Sequence, residues 1–160
     1  MRMEHPRTAA ERVTEFVSAI GAGLAGRGEL SRAPGDVSPQ PCDHVAESRS
    51  VSATYASSGG NPYLDPWYVD YSPYNMMYIG YADIAAPIRF ASFLAELGAR
   101  LAAGGWRVYE PESGSGGGPE LMVEAPVRGY GGKIGGILGP AGRPRVTVIF
   151  SSPCLRHPNE

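Results

Sequence analysis

The sequence predicts an α+β fold, an antiparallel β-sheet with two helices packed on one face. Two stretches space their apolar residues three and four positions apart, as helices do, and the last third offers four short strand candidates separated by turn residues. The elements do not alternate in the strand, helix, strand order that builds a parallel sheet. The 160 residues fit one domain, 1–160, with an N-terminal helix and linker at 1–41 and a core at 42–156 closed between the two cysteines.

From Thr8 onward, Ala9, Val13, Phe16, Val17, Ile20 and Leu24 fall on one helical stripe that must bury itself. Thr8 and Glu11 have the form of a capping box, and the glycines from Gly21 end the helix. Residues 26–47 carry Gly, Pro and Ser with few large apolar side chains, the composition of a linker leading to Cys42. Ser50 to Ala56 reads as a strand. The stretch 57–75, SSGGNPYLDPWYVDYSPYN, holds too much Gly and Pro for a central strand and too many rings for ordinary disorder, so an ordered loop or insertion is expected.

Met76 to Tyr81 is the next strand. Asp83 and Pro87 then mark the entry to a second helix, whose stripe Ile84, Ile88, Ala91, Leu94, Leu97 and Leu101 runs to Gly104 and Gly105. The four closing strands are Trp106 to Glu110, Glu120 to Ala125, Gly129 to Leu138 and Arg145 to Ser151. In the last, Val146, Val148 and Phe150 alternate with Arg145, Thr147 and Ile149, the pattern of a strand with one buried face. The connections SGSGGGP and GPAGRP have hairpin chemistry, which favours antiparallel pairing.

A composition with 22 glycines and 15 prolines forecasts long loops around a compact centre. The formal charge of −2, without long runs of either sign, leaves no electrostatic footprint for nucleic acid or an anionic membrane surface. No apolar stretch has the length of a membrane span. Phe16 to Gly26 imitates the core of a signal peptide, yet Glu4, Glu11 and Glu15 stand where a signal is basic, so it reads as a helix.

The two cysteines, Cys42 and Cys154, lie just outside the first and last strands, each behind a proline, and this placement suits a disulfide clasp. A bond closing so long a loop stabilises by roughly 4–5 kcal/mol in the chain-entropy model. Two free thiols in a reducing compartment are one alternative. A zinc site of Cys42, His44, Cys154 and His157 is another, although the one-residue gap after Cys42 is tighter than usual ligand spacing.

A proline and cysteine early in the chain, GGWRV at 104–108, RGYGGKIGG at 128–136 and SSPC at 151–154 together resemble the small secreted proteins and lipoproteins of actinobacteria. The likeness covers about residues 40–156, and its most distinctive motifs are SSPC and GGW. It implies an exported α+β domain, extracellular or in the cell envelope, with the two cysteines bonded. The sequence departs from such proteins in lacking a signal and a lipobox, since Gln40 and Pro41 rather than small apolar residues precede Cys42.

Six of the nine tyrosines, Tyr63, Tyr68, Tyr71, Tyr74, Tyr78 and Tyr81, cluster around Trp67. Rings with a polar tip suit contact with a protein, glycan or lipid ligand, and Trp67, Tyr63, Tyr68, Tyr71 and Tyr74 are the ligand-binding candidates. The competing explanation is that these rings pack on the sheet and hold down a proline-rich loop. Asp65, Asp70 and Asp83 offer acids for hydrolysis but no positioned base or nucleophile. The glycine runs do not join a strand to a helix as phosphate loops do, Ser151 and Ser152 lack the nucleophile elbow, and His5 and His157 read as solvated tails.

No catalytic residue, metal or cofactor is therefore assigned. The expected function is a non-catalytic extracytoplasmic binding protein that uses the aromatic segment and the adjoining sheet surface. An enzyme acting on envelope material and an intracellular structural or assembly factor are the alternatives.

Overall fold

The computed structural model describes residues 1–42, 49–50, 69, 71–85, 88–109 and 119–158. Helix α1 spans Pro6–Gly23, and strands β1 (Ser38–Pro41), β2 (Arg49–Ser50), β3 (Tyr71–Ser72) and β4 (Tyr74–Asp83) follow. After helix α2 (Phe90–Ala103) come β5 (Arg107–Tyr109), β6 (Glu120–Glu124), β7 (Gly131–Leu138) and β8 (Pro144–Ser151). Six strands form one antiparallel sheet in the order β1-β4-β8-β7-β6-β5, while β2 and β3 pair separately. The α+β class and the antiparallel sheet are as the sequence predicts.

Both helices cover the same face. α1 lies over β4 and β8, α2 over β5, β6 and β7, and the two helices touch each other. Ala9, Val13, Val17, Ile20 and Leu24 of the predicted stripe are all fully buried. They meet Met76 and Tyr78 of β4 and Val146, Val148 and Phe150 of β8 in a single apolar cluster. At its centre the rings of Phe16 and Trp106 meet edge to face 5.7 Å apart, each about 6 Å from Phe150. α2 sits close to the sheet because β7 is rich in glycine: a Cβ on Gly136 would stand 2.5 Å from the Phe90 ring.

Several boundaries differ from expectation, each for a local reason. α1 starts at Pro6 because His5 caps it, its Nδ1 accepting the Arg7 N–H at 3.1 Å, and proline is tolerated where no N–H is needed. The Thr8 and Glu11 capping box is consequently inside the helix. α2 starts at Phe90, beyond Asp83, because β4 runs through Asp83 and the next two N–H groups are committed elsewhere. Ile84 donates to the Pro144 carbonyl at 2.9 Å and Ala85 to that of Arg27 at 3.1 Å.

Strand β1 lies inside the stretch read as linker, where its two prolines conceal it. Pro39 pairs with Met76 and Pro41 with Tyr74 at the edge of the sheet. An edge strand needs donors on one side only, so prolines at alternate positions are compatible with pairing and remove N–H groups from the free side. The Ser50 to Ala56 strand, the loop 57–75 and the SGSGGGP turn lie largely outside the described residues. GPAGRP, by contrast, is seen as a tight 3₁₀ turn at Pro140–Gly142 joining β7 to β8.

The sulfurs of Cys42 and Cys154 lie at disulfide distance, with Cα atoms 6.1 Å apart across 112 residues of sequence. The link joins the end of β1 to the segment leaving β8, the clasp that the cysteine placement suggested.

Candidate functional site

The alternation of each strand divides the aromatic segment in two. Among the five candidate rings, Tyr63, Trp67 and Tyr68 lie outside the described residues. Tyr71 in β3 is half-buried against the core. Tyr74 is fully buried, and its hydroxyl donates to the Glu4 carbonyl at 2.6 Å. Burial, reinforced by the nearby Glu4 charge, raises its pKa far above the ordinary phenol value. Tyr78 is likewise buried and donates to the Arg32 carbonyl at 2.8 Å. These two rings offer packing and internal hydrogen bonds, whereas Tyr81 faces outward with the Arg145 guanidinium stacked 3.8 Å from its centroid.

The acids are as divided as the rings. Asp65 and Asp70 are outside the described residues, and Asp83 is held by Arg145 through Oδ1 at 2.8 Å and Oδ2 at 3.3 Å. The Arg145 hydrogen bond lowers the Asp83 pKa, so this carboxylate is an ion-pair partner and not a proton donor at neutral pH.

Both tails are pinned into the body, which corrects the expectation of solvated ends. Residue Met3 bridges Arg156 in parallel, and Leu155 bridges Tyr74. The Glu4 N–H donates to the Arg156 carbonyl at 3.1 Å and the Arg156 N–H to that of Arg2 at 3.0 Å. His157 is 0% exposed, its backbone N–H donates to Ser72 Oγ at 3.0 Å, and its ring lies 6.0 Å from that of His5.

Beside this pairing the Glu4 side chain, only 7% exposed, accepts a hydrogen bond from the Tyr130 hydroxyl. Arg12 approaches the same carboxylate at 3.1 Å and Arg2 at 3.5 Å. Sequence spacing could not reveal this lock, because Glu4 and Tyr130 are 126 residues apart.

A carboxylate, phenols and imidazoles close together have the inventory of an active site, but the contacts are those of a closed structural network. Two arginines neutralise Glu4, and Tyr130 bonds to it with a pKa raised by burial and by Glu4 itself. In the zinc alternative, His44 is outside the described residues and the two sulfurs are paired with each other. Among the described residues no group of three or more His, Cys, Asp or Glu could hold a metal.

Neither of the two described helices lies over the other face of the sheet. Its side chains come from the odd positions of β4 and β8, where Ile79 pairs with Ile149, Tyr81 with Thr147, and Met77 with Ser151. Ile79 is 51% exposed and Ile149 40%. Across β7 the row continues through Lys133 to Met122 and the exposed Tyr109.

Among the described residues this face carries three pairs of opposite charge: Asp83 with Arg145, Glu120 with Lys133 at 3.5 Å, and Glu124 with Arg107 at 4.0 Å. A cavity of about 300 Å³, at the lower limit for a small-molecule site, opens between Tyr109, Met122, Glu124 and Arg128. A signal for this surface did exist in the sequence. MMYIGY at 76–81 is apolar at every position except glycine, where a strand with one solvated face should alternate.

No helix among the described residues is long and apolar enough to cross a membrane. Compared with models of protein families, with curated proteins and with solved structures, the chain matches none.

Proposed function

We propose that this chain is a non-catalytic binding protein of an extracytoplasmic compartment, working through the open face of its sheet together with the aromatic segment that leads into β4. The observation that carries the proposal is a contiguous group of large apolar side chains, Met77, Ile79, Tyr81 and Ile149, set on the sheet face opposite the two described helices. Scattered exposed apolar residues are normal, but a contiguous patch rimmed by polar groups is characteristic of an interaction surface.

The cysteine pair supports the compartment, since disulfides persist where the surroundings are oxidising. Resemblance to secreted actinobacterial proteins points the same way. A protein partner suits the surface better than nucleic acid or anionic lipid, because the paired charges project no net field.

Two measurements test the proposal. Intact mass after alkylation should show no added alkyl groups on the native protein and two after reduction; alkylation of the native form would remove the compartment argument. Photo-crosslinking in envelope extracts should yield an adduct that Ile79→Asp and Tyr81→Ser abolish while the melting temperature stays unchanged. Trp67→Ala tests the aromatic segment in the same assay. Adducts insensitive to all three substitutions would refute the proposed surface.

A further inference from the structure

We infer that the open face of the sheet is a self-association surface, and that its partner is a second copy of this chain packed sheet against sheet. The inference rests on the proposed role of that face and specifies its occupant. Four features of the molecule support it.

The first is chemistry arranged as a centre and a rim. Ile79 and Ile149 are cross-strand neighbours in the middle of β4 and β8, with Met77 and Tyr81 beside them. The Asp83 and Arg145 pair closes one end, and Lys133 with Glu120 closes the β7 side. An apolar centre inside a polar rim is the usual anatomy of a specific interface.

The second is charge. A two-fold interface brings each residue near its own copy or near a symmetry-related patch, so an unbalanced surface repels itself. Here the pairs Asp83–Arg145, Glu120–Lys133 and Glu124–Arg107 cancel locally, which lowers the like-charge repulsion between two copies.

The third is area. At a strand spacing of about 4.8 Å and a rise of about 3.3 Å per residue, the six strands present roughly 600 Å² of flat footprint. Standing side chains increase the accessible area above that figure, towards the about 800 Å² per partner of standard interfaces.

The fourth is the state of the β1 edge. Pro39 and Pro41 remove donors from the free side of β1, which suppresses edge-to-edge pairing along that edge and disfavours it as the route of association.

Sedimentation equilibrium of the oxidised full-length chain, from micromolar to near-millimolar concentration, tests this directly. The wild type should dimerise reversibly. Ile79→Lys with Ile149→Lys should weaken the dimer by about a hundredfold, because lysine ammonium groups would be desolvated at its centre. Leu138→Lys, a change at a residue 70% exposed on the helix side of β7, should leave dimerisation unaltered. Mixing Ile149→Lys with Ile149→Glu should restore association, since opposite charges would then meet across the two-fold axis.

A dimer that survives the double substitution would place the contact elsewhere and overturn the inference. A wild type that stays monomeric, with variants of unchanged melting temperature, would overturn self-association and leave the face to a different protein partner. A monomer that Ile79→Lys destabilises by many degrees would show the face covered within the chain, and both the inference and the proposed function would fall.

Discussion

The two faces of the sheet are built from alternate residues of the same strands, yet they differ in what their apolar groups accomplish. On the covered face Tyr78, Val148 and Phe150 are fully buried beneath the helices and close the core. On the open face Ile79 and Ile149, one residue away along each strand, stand in solvent. Apolar character alone therefore does not mark a core position. Burial depends on which side the helices take, and apolar residues left on the other side add little stability and remain usable for association.

Breaking the covered side should cost most. Replacing both cysteines by serine removes the 112-residue closure and should lower unfolding free energy by up to about 4–5 kcal/mol, read from denaturant midpoints under oxidising conditions. Phe150→Ala empties the centre of the Phe16 and Trp106 cluster and should cost about 3–5 kcal/mol in the same assay. Glu4→Gln leaves the Tyr130 hydroxyl and two arginines without their carboxylate, for a loss of about 2–3 kcal/mol. Were Glu4→Gln neutral, the tail lock would be ornamental and the tails dispensable.

Open-face changes should sharpen the contrast by doing little to the isolated fold. Ile79→Ser and Ile149→Ser should each move stability by about 0.5 kcal/mol or less, as surface substitutions do, measured on dilute protein.

The smallest expected effect is one of pH. Arg145 holds the folded-state pKa of Asp83 below its unfolded value. The contribution is thus complete above the ordinary aspartate range and fades as pH falls through the lowered folded value. Melting temperature against pH should show a shallow acid step in the wild type that Asp83→Asn lacks.

Much of the covered side was legible in the sequence. The α1 stripe, the alternation in β8 and the end of α2 at Gly104 are local patterns, and each appears where its periodicity placed it. The misjudged parts share a different character. β1 is concealed by prolines that only an edge position tolerates, and α1 begins early because His5, not Thr8, caps it. His157 reads as tail until Met3 and Tyr74 are seen on either side of its segment. Of the predicted ligand rings, Tyr74 could be assigned only once the parity of β4 relative to the helices was known.

By itself the chain determined the buried stripes of its two described helices, the alternation of its last strand, the antiparallel pairing of its closing strands and a cysteine pair placed to clasp its first strand to the segment leaving its last. Those follow from periodicity, turn chemistry and residue placement, all encoded within a few positions of each residue or, for the cysteines, by their location outside the strands. The tertiary structure alone decided which parity of β4 and β8 is covered, that both tails fold into the body around Glu4, and that Ile79 and Ile149 meet on an open surface. Each of these depends on contacts between residues about 70 or more apart in sequence, where the packing of helices against one side of the sheet, and not local preference, sets the energy.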